Sequence, residues 1–369
     1  MQTSREVIDA LIRNNKKAER MGFFDSPWGQ TVDKWVKNEG YPVHENHPKK
    51  KPHGDVEHFN MDMVSVGGWF DLMPLRGHNE VIEETADWKI TRNGAGAAFK
   101  RWKTQAGTPE HIDFRMTSRA VWDRDYRPHV LKAERERINF EDLKRNYNYF
   151  KEQKRWIFVG HLFIWEHMRQ TMGDVCMFES LVLDPDWVHD FCRVYTDFFK
   201  AHFKMMFDEV GLPDGAWLYE DLGYNKGLFC SPAILEELIM PYHKEMVDFF
   251  HSYNLPVVLH SCGNVTEAMP LIVQAGYDAL NPMEVKAGCD IFTFAGKYGD
   301  KLAFVGGFDA RILESGDKAK IRKSVIEYIG RLKDVGARWV FGSDHSLSTN
   351  VTLASFNCAV ETYREHMMY

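Results

Sequence analysis

The sequence predicts a parallel α/β barrel of the (β/α)8 type with an N-terminal helical and loop extension. Three observations carry that expectation. From about residue 155 onward, short apolar runs alternate with amphipathic helical patterns, the rhythm of βαβ units. Each of these runs after the first closes on polar or ligand-capable residues, as barrel strands do at the end that carries the active face. No glycine-rich phosphate loop follows any of them, which argues against a nucleotide-binding Rossmann sheet.

In chain order, residues 1–55 read as an extension capping the barrel, and residues 56–369 as the barrel itself. Val7, Ile8, Leu11 and Ile12 are spaced for one face of a helix. The stretch Tyr41 to Gly54 is rich in proline, lysine and histidine and reads as an exposed loop, because prolines and lysines break up any compact set of histidine ligands. Trp88 to Trp102 reads as a hairpin around Asn93-Gly94. Strands follow at Trp156–Phe163, Ala216–Glu220, Pro256–Cys262, Ala279–Val285, Leu302–Asp309 and Trp339–His345. Helices are expected between them at Pro232–Tyr253, Val265–Ala275 and Lys318–Val335.

Composition narrows the function classes. With 46 Lys plus Arg against 53 Asp plus Glu, the net charge is −7, which gives no electrostatic reason to expect nucleic acid or an anionic membrane as partner. No apolar run reaches the roughly 18–20 residues of a spanning helix, and no apolar signal segment is visible near Met1. The six cysteines show no paired framework and read as reduced thiols, so a cytoplasmic location is expected.

The strand ends supply the candidate chemistry: Glu220 and Asp221, His260 and Cys262, Glu284, Asp309, and Asp344 with His345. Within Leu259-His260-Ser261-Cys262-Gly263-Asn264, residues two apart share a strand face, so His260 and Cys262 converge on one point. An imidazole beside a thiolate suits Zn²⁺, and Glu284, Asp344 or His345 can complete a site of three protein ligands with an open position. A Cys262 nucleophile activated by His260 is the competing reading, although two neighbours on one strand lack a third orienting group. Asp309 and Arg311 can clamp a substrate anion or simply stabilise a turn. Trp28 and Trp69 are candidates for lining a pocket.

Several segments resemble the uroporphyrinogen decarboxylase superfamily. They are EDLGYNKGLFCSPAILEELIMPYHKEMVDFFH (220–251), HSCGN (260–264), AGYDALNPMEVKAGCD (275–290), KYGDKLAFVGGFD (297–309) and FGSDHS (341–346), in that order. The resemblance implies a (β/α)8 barrel and one of two chemistries. Decarboxylases of acidic tetrapyrroles use N-terminal arginines and a catalytic Asp. Here FFDSPWGQTVDKWV (23–36) contains no arginine, although Asp62 stands as a loose match for the Asp. The other branch holds zinc-dependent methyltransferases that exchange methyl groups with corrinoid proteins. Its HxC motif matches His260 and Cys262, Glu284 falls at its acidic position, and Ser343-Asp344-His345 stands where it carries a distant Cys.

The resemblance therefore implies a zinc methyltransferase with metal ligands His260, Cys262, Glu284 and His345. Its catalytic groups would be Glu220, Asp221 and Asp309, and its substrate contacts Trp28, Asp62, Trp69 and Asp344. The expected partners are a small methyl donor or acceptor, methoxylated donors being favoured, and a corrinoid (cobalamin) carried on a separate protein, since no DxHxxG-type cobalamin motif is present. A homodimer is compatible with the sequence and not specified by it. The alternatives are a cofactor-free decarboxylase of a smaller acid using Asp62 and His345, and a corrinoid- or tetrapyrrole-binding protein without turnover.

Overall fold

The computed structural model describes residues 2–14, 16–43, 55–104 and 107–369. Most of the proline- and lysine-rich loop read at 41–54 lies outside the described residues. In chain order the strands are β1 (Gly22–Phe23), β2 (Met63–Gly67), β3 (Asn79–Glu84), β4 (Trp88–Asn93), β5 (Ala97–Trp102), β6 (Glu110–Phe114) and β7 (Trp156–Leu162). Then follow β8 (Gly215–Tyr219), β9 (Gly223–Tyr224), β10 (Gly227–Leu228), β11 (Val257–Ser261), β12 (Ala279–Pro282), β13 (Ala303–Val305) and β14 (Trp339–Phe341).

Eight of them form one parallel sheet in the order β1-β14-β13-β12-β11-β8-β7-β2, curled into a nearly closed barrel. The barrel expectation holds, and all six strands read from the sequence are present, their starts within one residue and their ends within four. Its seam lies between β1 and β2 and is bridged by one residue. Asp62 donates its N–H to the Phe23 carbonyl at 2.8 Å, and its Oδ2 accepts the Phe23 N–H at 2.9 Å.

Strand alternation divides the core in two. Met63, Trp156, Phe158, Trp217, Val258, Ala279, Ala303, Val305 and Val340 point inward. They form a buried cluster with Val7, Ile8, Ala10, Leu11, Ile12 and Ala18. The helix Ser4–Arg13, capped by Thr3 and Glu6, thus plugs the barrel floor, and the segment 1–55 supplies both that plug and strand β1. The intervening residues, such as Ile157, Val159, Leu218, Val257 and Leu259, point outward into the layer packed by the surrounding helices.

The loop after β2 carries the largest insertion, a four-stranded antiparallel sheet in the order β3-β4-β5-β6. The hairpin read at 88–102 is its centre. Asn93 Oδ1 accepts the N–H groups of Ala95 and Ala97 and shapes the turn. Phe114, at the end of β6, packs over Gly173 of the helix Ile164–Leu183, where φ is 77° and a Cβ would sit 2.6 Å from the ring. The insertion is thereby fastened to the barrel wall beside the mouth. Among the described residues no helix is long and apolar enough to cross a membrane.

Candidate functional site

The site is built where β8, β11 and β12 end. On β11, Val258 faces the barrel interior, so His260 and Cys262 face it too. On β8 the inward residues are Trp217 and Tyr219, which makes Asp221 the next inward position. The three side chains meet. Cys262 Sγ lies 3.4 Å from His260 Nε2, and Asp221 Oδ1 lies 3.8 Å from the same nitrogen. The ligand atoms of Asp221, His260 and Cys262 all fall within 4.8 Å of one another. Tetrahedral zinc, with bonds of about 2.0–2.3 Å, spaces its ligand atoms about 3.3–3.6 Å apart, so small side-chain movements suffice to close on an ion.

The protonation pattern suits a metal. Asn281 Nδ2 donates to the Val305 carbonyl at 2.9 Å, which turns its Oδ1 toward His260 Nδ1 at 2.5 Å. Nδ1 therefore carries the proton, and Nε2 presents its lone pair to the cluster. Burial pushes the Cys262 thiol well above its ordinary range, and the charges of Asp221 and Glu284 push it further. Such a set of electron-pair donors gains most from a divalent cation, which removes the thiol proton outright.

The backbone around the pair is fixed. Gly263 has φ 77°, and a Cβ there would sit 2.2 Å from the Gly223 carbonyl carbon, so the turn can close onto β9 only with glycine. Cys262 donates its N–H to Asp221 Oδ1 at 2.9 Å, and Gly263 donates its N–H to Glu284 Oε2 at 2.8 Å. Glu284 lies just outside the three-residue cluster, also paired with Lys286 at 3.2 Å.

Two cavities meet at Cys262. The first, about 220 Å³, sits in the barrel mouth. It is walled by Phe24, Trp217 and Tyr219 on one side and by Asp25, Ser343 and His345 on another, with His260 and Cys262 in its lining. The second, about 720 Å³, lies between the inserted sheet and the barrel and is lined by Phe99, Arg101, Glu166, Arg169, Asp221, Tyr224, Cys262 and Glu284, among others.

The other sequence candidates are placed as follows. His345 shares the first cavity, its ring 6.1 Å from Trp28 and its Nδ1 3.3 Å from the Ser346 carbonyl, outside the three-residue cluster. Trp69, 49% exposed, stacks on Tyr219 and His161 and stands at the mouth. Four residues do other work. Glu220 faces away from the interior and is fully buried. Its carboxyl accepts the N–H groups of Trp165 and Glu166, so it caps the helix Ile164–Leu183 from another strand. Asp309 caps the helix Ala310–Glu314 and pairs with Arg311 at 2.8 Å. Asp344 accepts the N–H groups of Val285 and Ala310, tying together the loops after β12 and β13. Asp62 lies at the opposite end of the barrel, held by both terminal nitrogens of Arg20 at 2.7 Å, and cannot reach either cavity.

The sequence reading missed Asp25 and Asn281. Asp25 is buried in the first cavity, with Oδ1 accepting from Ser26 N–H and Ser343 Oγ and Oδ2 accepting from Ser343 N–H. Burial pushes its carboxyl up to about 6. Asn281 was legible in principle, since it sits opposite His260 in the parallel register of β12.

The model of the family described as uroporphyrinogen decarboxylase (URO-D) matches residues 169–366, more than half of the chain and all of the strands that carry the cluster. The chain belongs to the uroporphyrinogen decarboxylase family. Within reach of that family assignment stands the methylcobamide:CoM methyltransferase MtbA of Methanosarcina mazei, 31% identical over 124 residues. That match covers 32% of this chain and 32% of the relative, so the chain spans about a third of the curated relative's length there. A solved methyltransferase from Methanosarcina mazei superposes with a TM-score of 0.67 over 99% of both chains at 14% identity, a likeness of fold.

Proposed function

We propose that this member of the uroporphyrinogen decarboxylase family is a zinc-dependent methyltransferase. It moves a methyl group between a small substrate in the barrel mouth and a corrinoid carried on a separate protein. The observation that carries this reading is the Asp221, His260 and Cys262 cluster, with the His260 lone pair turned to it by Asn281. The match to a methylcobamide:CoM methyltransferase supports it.

His260, Cys262 and Asp221 would hold the ion, and His260 and Cys262 also line the first cavity. Bound there, zinc supplies Lewis acidity to an oxygen or sulfur of the substrate. The favoured donor is a methoxylated aromatic compound. Phe24, Trp217 and Tyr219 offer flat apolar walls, and the 220 Å³ volume suits one substituted ring. In transfer from such a donor, the reduced corrinoid of the partner protein would supply the electron pair for the new bond to methyl. The ether oxygen leaves with the pair of the broken bond and takes up a proton. Asp25 and His345, on the far wall, are the protonable groups placed for that delivery. The aromatic lining keeps water from the methyl group.

Metal analysis with a methyl-transfer assay tests the reading. Stoichiometric zinc is expected, together with release of the phenol from a methoxybenzoate in the presence of reduced cobalamin. Zinc-free protein that keeps full activity overturns the metal role. Zinc-loaded protein inert with a methoxybenzoate donor, and inert with methylcobalamin and a thiol, overturns the methyltransferase reading. A decarboxylase reading would need a carboxylate other than Asp62, which is held by both terminal nitrogens of Arg20.

A further inference from the structure

A third cavity, about 700 Å³ and open to solvent, lies within the long connection that leaves β2 and leads to β7. Its walls are two segments of the long loop after β2: Pro74 to His78, and Pro128 to Arg137. Three full cations line it, Arg76, Lys132 and Arg137, with His78 and His129 beside them. One carboxylate, Glu134, opposes them, 2.9 Å from Arg137 and 3.7 Å from Arg76. Glu136 is exposed nearby but does not line the cavity. The cleft is thus positive on a chain whose net charge is −7.

The surface is built rather than incidental. The guanidinium of Arg137 is buried and donates to four carbonyls, those of Asp71, Met73 and Pro74 on one wall and of His129 on the other. Asp71 accepts the N–H groups of Met73 and Gly77 and fixes the turn that presents Arg76. Lys132, His78 and His129 have no ion-pair partner among the described residues. Leu75 and Leu131, 38% and 54% exposed, flank the cations. Exposed leucines beside preorganised arginine and lysine on an open cleft fit a protein surface better than a small anion, which is held in an enclosed pocket.

We propose that this cleft docks an acidic face of the protein that carries the corrinoid, an inference that rests on the function proposed above. Trp69, on the same segment as Arg76, stacks on Tyr219 at the wall of the first cavity, so a partner seated here stands beside the mouth that its cofactor must enter. Attraction between unlike charges steers such an encounter and weakens as salt is raised.

The test compares two acceptors for one methoxybenzoate donor: free reduced cobalamin, and a reduced corrinoid-binding protein of acidic isoelectric point. The wild-type chain is set against Arg76→Glu/Lys132→Glu at low and high salt. The charge reversal is expected to raise KM for the corrinoid protein at least tenfold at low salt and to abolish its salt dependence, with kinetics toward free cobalamin unchanged. An unmoved KM for the corrinoid protein overturns the docking inference and leaves the methyltransferase reading standing. Saturable binding of inorganic pyrophosphate that the reversal abolishes, with KM unmoved, assigns the cleft to small anions instead. A wild-type chain inert toward both acceptors with this donor, and inert with methylcobalamin and a thiol as well, overturns the functional reading and the docking inference with it.

Discussion

Asn281 Oδ1 accepts a hydrogen bond from His260 Nδ1 at 2.5 Å, and the same amide is locked from behind by its donation to Val305. This one contact decides which imidazole nitrogen is free to bind a metal. Asn281→Ala is therefore expected to weaken zinc binding about 10- to 100-fold, the usual range for loss of an outer partner to a metal-bound histidine. Asn281→Asp, which keeps the acceptor, is expected to retain most of the affinity. Competition with a chromophoric chelator reads both values, and equal affinity in Asn281→Ala would show that the imidazole is oriented by something else.

The three-residue cluster separates ligands from neighbours. Cys262→Ala and Asp221→Asn are expected to lose stoichiometric zinc, because each removes one of the three groups that converge among the described residues. Glu284→Gln and His345→Ala are expected to keep the metal while lowering turnover. The first loosens the turn at Gly263, and the second changes the cavity wall. Elemental analysis of the four purified variants checks the division. Zinc lost from Glu284→Gln, with Asp221→Asn still loaded, would make Glu284 the oxygen ligand.

The division also marks how far the sequence could be read. The barrel was legible because β7, β8, β11, β12, β13 and β14 are buried almost throughout and so appear as dense apolar runs, such as Trp156–Leu162. Strand β1 is two residues long, and β3 is exposed along its whole length, so neither carries a hydrophobic signature. His260 and Cys262 were found from strand parity alone. The same parity, applied to β8, places Asp221 inward and Glu220 outward, since Trp217 and Tyr219 already fix the inner face. Asp25 could not be found this way. It sits in a loop after β1, and its partner Ser343 is more than 300 residues away in sequence.

Buried histidines should work against stability at acid pH. Burial holds His161 down at about 4 and His167 and His243 down at about 3, against about 6.5 in an unfolded chain. A base whose folded value is depressed favours folding above the unfolded value, and that contribution is lost as pH falls toward the folded one. Each such group lowers stability by about 1.4 kcal/mol per pH unit below about 6. Asp25, held up to about 6, and Glu166, held up to about 7, take up protons in the folded protein and act in the opposite sense. Denaturant titrations between pH 7 and 5 on the wild type and on a single-histidine variant isolate the histidine contribution. His167 is fully buried against Tyr195, with both ring nitrogens lacking a hydrogen bond among the described residues. His167→Phe should therefore remove about 1.4 kcal/mol per pH unit of acid destabilisation relative to the wild type, and an unchanged slope would mean that other groups take up the protons.

The last expectation concerns the floor of the barrel. Asp62 joins β1 to β2 through Phe23 and holds Arg20 at 2.7 Å on both oxygens, in a pair whose carboxylate is 2% exposed. Removing one member of a buried ion pair strands the other, which costs about 3–5 kcal/mol. Asp62→Ala is expected to lose that much and to open the seam. The amide protons of Phe23 and Asp62 should then exchange faster than those of β11. Because the residue lies at the end of the barrel opposite the metal cluster, zinc affinity and KM for the small substrate should be unchanged in the fraction that stays folded. A stable Asp62→Ala protein with abolished turnover would instead restore Asp62 as a group acting on substrate.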